Sequence, residues 1–531
     1  MNNSILSSEK NLTASAKFHI TIISLYSYGA FGSRILKDIL KNNSYTASNI
    51  FFKKDKTNSM SLPTEQEYEL LINLLKQLNP DIIGISTRST FFPVAKNITQ
   101  KIKKITDSPI LWGGAHPTIC PEESIQFADI ICIGDGEKAM LELVDKLSKH
   151  QEISAIKGLW IKKNNSVIKN DPQTLFEDLD GLPLPDYDDK NTYAIENNSV
   201  IRHDPLYNNE LTHYNFMSGR GCPFHCDFCS NSILKKIFEG KGHFIRQRSV
   251  ENVIEELKSA KKRFKKLEVI SSNDEVFTLN KEWLKEFCRK YKNEINLPFH
   301  CDIHPSFVSE ETINLLKYAG LKTITMGIQS GSEKIRTDLY GRKTPESVLK
   351  KNAYIFKKNK IFPSFDLIFD NPLETVDDIK KTYNFMFELP RPYRINMYSL
   401  QHHPRTKLTE KLLSEKLISI NEIDGISLKG FNQWHVNLYN KLQNPEMLFY
   451  YKLFELLSSF IVLSEKNPGR VVMVFPLWFI RLIEKNMFLK KWPYLMNWVA
   501  FMPKITFGLG LLIQGKLKRL TRSIIYLSKK N

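Results

Sequence analysis

Between residues 18 and 150, short apolar runs alternate with amphipathic stretches of helical period. The runs predict strands over His19–Leu25, Ile50–Lys53, Ile82–Ser86, Ile110–Trp112 and Ile130–Ile133. The stretches between them predict helices near Ser33–Leu40, Glu65–Leu78, Ala95–Lys104 and Glu137–Leu147. Strands this apolar suit a parallel sheet covered by helices on both faces, so residues 18–150 are expected to be α/β and doubly wound. The alternation returns from about Thr212 to Leu408 as six strand-then-helix units. Their strands fall near Tyr214–Ser218, Leu267–Ser271, Pro298–Asp302, Thr323–Gly327, Phe362–Ile368 and Arg394–Ser399. The helices include Ser249–Arg263, Lys281–Tyr291, Glu310–Tyr318, Pro345–Lys358 and Thr375–Phe387.

Between these regions, residues 154–171 predict a hairpin turning at Asn164-Asn165. The Pro-rich acidic stretch from Phe176 to Asp189 reads as an ordered linker with no chemistry of its own. The expected division is a disordered lead-in over 1–17, a first domain over 18–150, hairpin and linker over 151–210, a second domain over 211–410, and a mostly helical region over 411–531.

At 531 residues, 42% hydrophobic and 25% charged, the chain can bury several cores. Met1–Lys17 has no apolar segment of the kind a secretory signal carries. The net charge of +18 is concentrated late: from Lys441 onward there are 15 Lys and Arg against 4 Asp and Glu, an excess of 11. Such a bias points to an anionic surface. The apolar stretches Val471–Ile483 and Trp498–Ile513, with Trp478, Trp492 and Trp498 nearby, favour a membrane surface over nucleic acid. The second is shorter than the ~20 residues of a spanning helix. The basic cluster Lys516, Lys518, Arg519 and Arg522 would hold it to lipid headgroups. A helical cap burying its apolar face on the second domain is the alternative.

Candidate chemistry centres on Cys222, Cys226 and Cys229, in Arg220-Gly-Cys-Pro-Phe-His-Cys-Asp-Phe-Cys-Ser. Three thiolates on one loop are one ligand short of a closed metal site. Either His225 completes a zinc knuckle, or a cluster keeps one iron open. Cys120, Cys132, Cys288 and Cys301 are scattered, which suits a reducing cytosol rather than a disulfide framework. In the first domain, strand ends carry Ser86-Thr-Arg-Ser, Gly113-Gly-Ala-His-Pro-Thr and Gly134-Asp-Gly-Glu. Glycines at the carboxyl ends of such strands let a bulky ligand approach the backbone.

The cysteine triplet, with Phe228 before its last member, resembles the radical S-adenosylmethionine (radical SAM) superfamily, as does Gly327-Ile-Gln-Ser-Gly-Ser. The strand ends of residues 18–150 resemble the cobalamin-binding domain that precedes the radical SAM core in one large class of these enzymes. The resemblance runs from about residue 18 to 410. It implies a Rossmann-like cobalamin-binding domain, then a partial (β/α)6 barrel. It also implies a [4Fe–4S] cluster on Cys222, Cys226 and Cys229, whose open iron chelates S-adenosylmethionine (SAM), with Phe228 beside it. Asp274 and Glu275 take the place that contacts the SAM amino group; Gln329, Ser330 and Ser332 would contact its ribose or carboxylate. Ser86, Thr87, Gly113 and Gly114 would accommodate the cobalamin nucleotide tail.

Some positions depart from the family pattern. The loop Tyr26-Ser-Tyr-Gly-Ala-Phe-Gly lacks the Asp-x-His-x-x-Gly that supplies a lower-axial histidine, and His116 reads as a loop-ordering residue instead. Asp370-Asn-Pro-Leu-Glu-Thr replaces Gly-x-Pro-Gly-Glu-Thr, and Arg405 stands for a glycine after His402-His-Pro. The implied function is methylation of an unactivated carbon in a lipid or natural-product intermediate. Oxidation, cyclisation or rearrangement with the same cofactors is the alternative, and a non-catalytic cobalamin or redox sensor a third. The implied partners are a small-molecule or lipid substrate and an electron donor such as flavodoxin or ferredoxin. The implied location is the cytoplasm, or peripherally the inner face of its membrane.

Overall fold

The structure, a computed structural model, describes residues 18–54, 61–164, 166–185, 187–206, 211–423, 444–458, 460–462, 470–473, 476–486 and 489–490. The expected lead-in over 1–17, the Trp498–Ile513 stretch and the basic cluster from Lys516 to Arg522 lie outside these residues.

The first domain runs β1 (His19–Leu25), α1 (Phe31–Asn42), β2 (Thr46–Phe52), α2 (Glu65–Leu78), β3 (Ile82–Ser86), α3 (Phe92–Ile102) and β4 (Ile110–Gly113). It continues through α4 (Ala115–Ile119), α5 (Pro121–Ser124), β5 (Ile130–Cys132) and α6 (Gly136–Ser148). Strand β2 starts four residues before its apolar run because Ser48 and Asn49 are buried on hydrogen bonds, Ser48 to His19 Nε2 and Asn49 to the Ser33 carbonyl.

The segment read as hairpin and linker is drawn into the sheet at both edges. Strands β6 (Leu159–Lys163) and β7 (Ser166–Lys169) extend it antiparallel beyond β5. Strand β8 (Thr192–Glu196) pairs parallel with β2 and carries β9 (Ser199–Ile201) outside it. The nine strands run β7-β6-β5-β4-β3-β1-β2-β8-β9. Edge pairing of this kind is recruited by neighbouring backbone groups, which composition does not report.

The second domain runs β10 (His213–Phe216), β11 (Gly219–Arg220), α7 (Ser230–Ile237), β12 (Arg246–Gln247), α8 (Val250–Arg263), β13 (Val269–Ser272), α9 (Lys281–Glu294) and β14 (Phe299–Ile303). It continues as α10 (Glu310–Ala319), β15 (Leu321–Gln329), α11 (Glu346–Lys358), β16 (Phe362–Phe369), α12 (Val376–Glu388), β17 (Arg394–Ser399) and α13 (Lys407–Ser414). Strands β10-β13-β14-β15-β16-β17 form one parallel sheet whose two ends do not pair, a partial (β/α)6 barrel. Residues of one parity, such as Phe216, Ile270, Cys301, Ile324, Phe365 and Leu367, pack outward under the helices. The other parity faces the barrel lumen.

Beyond the barrel, α14 (Pro445–Leu457) is buried nearly all round, with Tyr451 against Phe369 at 4.7 Å and Phe454 against Phe369 at 5.1 Å. Helix α14 precedes the stretches for which a buried cap was the alternative. The apolar run from Val471 is divided between a short antiparallel ladder, β18 (Phe460–Val462) with β19 (Arg470–Met473), and helix α15 (Leu477–Glu484). Among the described residues, no helix is long and apolar enough to cross a membrane.

A buried ion pair ties the linker to the first domain. Arg34 of α1 donates Nη1 to Asp204 Oδ2 at 2.5 Å and Nη2 to Oδ1 at 3.1 Å, while its guanidinium stacks over Tyr187 at 4.3 Å. Both side chains are fully enclosed. Asp204→Ala is expected to lower unfolding stability by about 3–5 kcal/mol, because it strands a buried cation. Urea melts measure this; a loss below about 1 kcal/mol, the scale of a surface pair, would show the pair to be dispensable.

Candidate active site

At the carboxyl ends of the first sheet lies a cavity of about 600 Å³. Ser86, Gly113 and Gly114 line it, with Gly84 and Gly134. Gly114 has φ +102°, and a Cβ there would stand 2.6 Å from the Thr87 carbonyl oxygen, so only glycine fits. A Cβ on Gly113 would meet nothing within 4 Å. Thr87 is a correction: it is buried outside the cavity. Its hydroxyl donates to the Arg88 carbonyl at 3.1 Å and its N–H to the Gly113 carbonyl at 2.9 Å, stapling two strand ends. Arg88, the next residue of the same motif, lines the cavity instead. His116 is wholly buried away from the lining, with Nδ1 against Ser89 Oγ at 3.1 Å, a loop-ordering position. No histidine appears among the lining residues.

The far wall belongs to other segments. Leu179, Leu182, Pro183 and Pro185 line the cavity, so the linker is part of the site rather than an inert connector. Met217, Gly219, Arg220 and Arg248 bring the barrel to it. Arg220 Nη2 donates to Glu137 Oε1 at 2.6 Å and Nη1 lies 3.3 Å from Asp135 Oδ1. Arg246 also pairs with Asp135. Gly219 and Arg220 lead directly into Gly221, whose φ of +93° and close approach to the Phe244 carbonyl start the cysteine loop.

Cys222, Cys226 and Cys229 are free and half-buried. Burial raises all three thiols, Cys229 to about 12, so a cation is needed to hold them as thiolates. Three thiolates leave a metal centre one protein ligand short of closure. His225 is exposed, with Nε2 at 2.9 Å from Lys235 Nζ, so it is not a fourth ligand. Phe228 packs edge-on against Tyr340 at 5.2 Å, fixing the loop from behind. The half-buried Arg342 guanidinium is within electrostatic reach of all three cysteines and has no carboxylate ion pair among the described residues. Sequence reading missed it, since it lies 13 residues past Gln329 in an unremarkable stretch.

Asp274 is a second correction. Its Oδ1 accepts from the N–H groups of Ser218 at 2.9 Å and Gly219 at 2.6 Å, and its Oδ2 from the hydroxyls of Ser218 at 3.0 Å and Ser272. Burial pushes its carboxyl up to about 6 against those bonds. A carboxylate so occupied holds the cradle wall and is not available to a ligand ammonium. Glu275 is exposed, interacts with the Asn231 side chain, and is within electrostatic reach of Cys222 and Cys229.

Ser330 and Ser332 are likewise corrected: both are buried, Ser330 Oγ lying 3.1 Å from Thr382 Oγ1 and Ser332 donating to Asp378 Oδ1 at 2.6 Å. They bind the loop to α12. Gln329 ends β15 at φ +71°, half-buried. Asp370 and Arg405 both adopt φ +61°, so the loops keep the left-handed conformation for which the family uses glycine.

The lumen is polar. His213 Nε2 meets Ser271 Oγ at 2.7 Å, His300 joins Thr323 Oγ1 at 2.9 Å and Asp302 Oδ1 at 3.2 Å, and Asn396 donates to Asp366 Oδ1 at 2.8 Å. Burial pushes the Asp366 carboxyl up to about 7. Closed β/α barrels fill this space with branched aliphatics. The alternation His300/Asp302 and Asn396/Tyr398 within strands was the available signal.

Residues 23–144 match the B12 binding domain family, and residues 216–386 match the Radical SAM superfamily. The chain is 27% identical over 383 residues to an uncharacterized methyltransferase of Pyrococcus horikoshii, covering 70% of this chain and 78% of that protein. It is 24% identical over 359 residues to the anaerobic magnesium-protoporphyrin IX monomethyl ester cyclase of Rubrivivax gelatinosus, covering 66% of this chain and 60% of the relative. Its fold is similar to that of the radical S-adenosylmethionine methyltransferase TsrM of Kitasatospora setae, solved with tryptophan substrate and a SAM analogue. There the TM-score is 0.58 at 16% identity, over 75% of this chain and 76% of that one.

Whether the glycine-walled cavity takes a cobalamin tail is open to a direct test. Gly113→Leu should fill it without striking protein, and should weaken cobalamin retention about tenfold or more, since overpacking costs ~1–3 kcal/mol. Cobalamin absorbance after desalting measures this, with iron content as the control; undiminished retention would place the tail elsewhere.

Proposed function

We propose that this chain, a cobalamin-dependent radical SAM enzyme, transfers a methyl group to an unactivated sp3 carbon of a polar natural-product intermediate. When bound, the cluster with SAM supplies one-electron cleavage at the sulfonium, and cobalamin supplies the methyl group. One observation carries the reading. Gly219 and Arg220 wall the cavity that suits cobalamin, and the cysteine loop begins one residue later.

The remaining roles belong to side chains. Cys222, Cys226 and Cys229 would hold three irons, while Arg342 offsets the negative charge that their thiolates bring. Glu275 would accept the SAM ammonium through a charge-assisted hydrogen bond, with Gln329 two strands away at the end of β15. Phe228 braces the loop through Tyr340. The barrel walls keep water from a reactive centre. Lumen residues Asp302, Asp366 and Asn396 favour a substrate with hydrogen-bonding groups over a bare lipid chain, which would offer nothing to the hydrogen-bonding capacity left beyond their mutual contacts. An electron donor such as flavodoxin or ferredoxin would reduce the cluster.

Oxidation or cyclisation without methyl transfer is the second reading, supported by the similarity to the cyclase. Methyl-deuterated SAM separates the two: label in the product supports transfer, and a modified but unlabelled product supports the alternative. Anaerobically reconstituted protein should hold about four irons per chain and cleave SAM when reduced. Cys229→Ala should lose both, and cleavage surviving in that variant would overturn the cluster assignment.

Peripheral contact with anionic membrane is supported by α15, where Trp478 and Leu482 are 69% and 62% exposed. Co-sedimentation with anionic vesicles should fall as salt rises and fall further in Trp478→Ser/Leu482→Ser. Absence of binding at every salt concentration would remove the membrane from the proposal.

A further inference from the structure

Outside the cavity and the cysteine loop, His116, Cys120 and Glu123 bring one nitrogen, one sulfur and one carboxylate oxygen within 4.8 Å of one another. The local backbone puts them there. His116 and Cys120 are four residues apart across α4, closed by the Cys120 N–H donating to the His116 carbonyl at 2.7 Å. Pro121 then starts α5, and Ser124 donates its hydroxyl to the Cys120 carbonyl at 2.8 Å, which fixes the turn carrying Glu123.

The imidazole is oriented from behind, by Ser89 Oγ at Nδ1 and by Phe92, whose ring lies 4.5 Å away. A metal-bound histidine is commonly held in this way through its other nitrogen. Nε2 is buried and makes no hydrogen bond, with Glu123 Oε2 at 3.5 Å. Three electron-pair donors therefore converge with nothing cationic among them. Lys96 acts on Glu123 and Arg405 on Cys120 from outside the group. Burial keeps the imidazole neutral, lowering it to about 4, and lifts the thiol to about 12.

We propose that His116 Nε2, Cys120 Sγ and a Glu123 carboxylate oxygen bind a divalent transition metal, zinc by preference. One nitrogen, one sulfur and one oxygen suit tetrahedral zinc. Binding releases the Cys120 proton to solvent, and the thiolate and carboxylate together balance the dication. Glu123 is 35% exposed, so the fourth position is reachable by water. The site is a brace. Ile119 and Cys120 pack against Ile233 of α7, the helix that begins directly after Cys229, so the metal would couple the Gly113–Gly114 loop to the cluster helix. This assignment does not depend on the reaction proposed above.

The test uses the full chain with its cluster loaded, so that Cys222, Cys226 and Cys229 are occupied. After dialysis from micromolar zinc, elemental analysis should find about one zinc per chain, and zinc-edge spectra about one sulfur near 2.3 Å with nitrogen and oxygen neighbours. Cys120→Ser should lose the sulfur shell and weaken zinc binding at least about tenfold, with iron unchanged. Glu123→Gln, at the partly exposed ligand, should weaken zinc in the same direction and serves if Cys120→Ser folds poorly. Replacing all three cluster cysteines by Ala should abolish iron and leave zinc. No retained zinc, a zinc spectrum with several sulfurs, or zinc that follows the cluster cysteines rather than Cys120 would each overturn the proposal.

Discussion

The contact between Arg220 and the carboxylates of Asp135 and Glu137 is the joint on which the site depends. Arg220 sits on β11, between the wall of the glycine-lined cavity and the first cluster cysteine. Its partners stand where β5 gives way to α6, at the cavity's opposite side. Glu137 is buried, so parting the domains would leave its charge uncompensated, a loss of several kcal/mol. Arg246 adds a second guanidinium to Asp135 and also donates to the Phe176 carbonyl at 3.0 Å, which draws the linker into the joint. Through these charges the spacing between the glycine-lined cavity and the cysteine loop becomes a fixed property of the fold.

Buried polar groups shape the catalytic loops in the same way. Asp274 gathers donors from β10's following loop, β11 and β13; Asp378 and Thr382 on α12 anchor Ser330 and Ser332. These motif residues form the frame, and the groups left facing the cluster are Glu275 and Arg342. A buried carboxylate with several donors is well suited to holding geometry, because releasing any one bond would leave a charge in a poorly solvated place. The same reasoning explains how Asp370 and Arg405 can hold positive φ: neighbouring contacts, such as Ser399 with Asp370 and Glu122 with Arg405, accompany the strained backbone.

The lumen adds a further constraint. Asp366 sits near neutrality because burial and the Asp302 charge favour its protonated form, while the Asn396 amide and Arg342 pull the other way. Its folded value lies above the usual carboxylate range, so the ionised form is the disfavoured one. Stability from this group is present at low pH and is lost as pH rises towards about 7. A lumen with that balance supports the polar substrate proposed above and weakens the expectation of a lipid that the basic, apolar tail had encouraged.

Much was legible in the chain itself. Strands β1 and β3 and helix α2 coincide with their apolar patterns, since a fully buried strand or a capped amphipathic helix announces its own limits. The cysteine spacing marked the loop, and Gly114 was readable as a backbone requirement. The sequence could not show that Thr87, Asp274, Ser330 and Ser332 turn inward, because a polar residue at a strand end reads the same whether it faces a ligand or a neighbouring loop. Nor could it place Arg342 beside three cysteines more than 100 positions earlier, or thread the linker into the cavity wall. Local periodicity and ligand spacing determined the elements and the cysteine loop, and the family resemblance implied the cofactor class. Which side chains meet, and which carboxylates remain free, was decided by tertiary packing, because hydrogen-bond saturation and burial depend on partners that are remote along the chain.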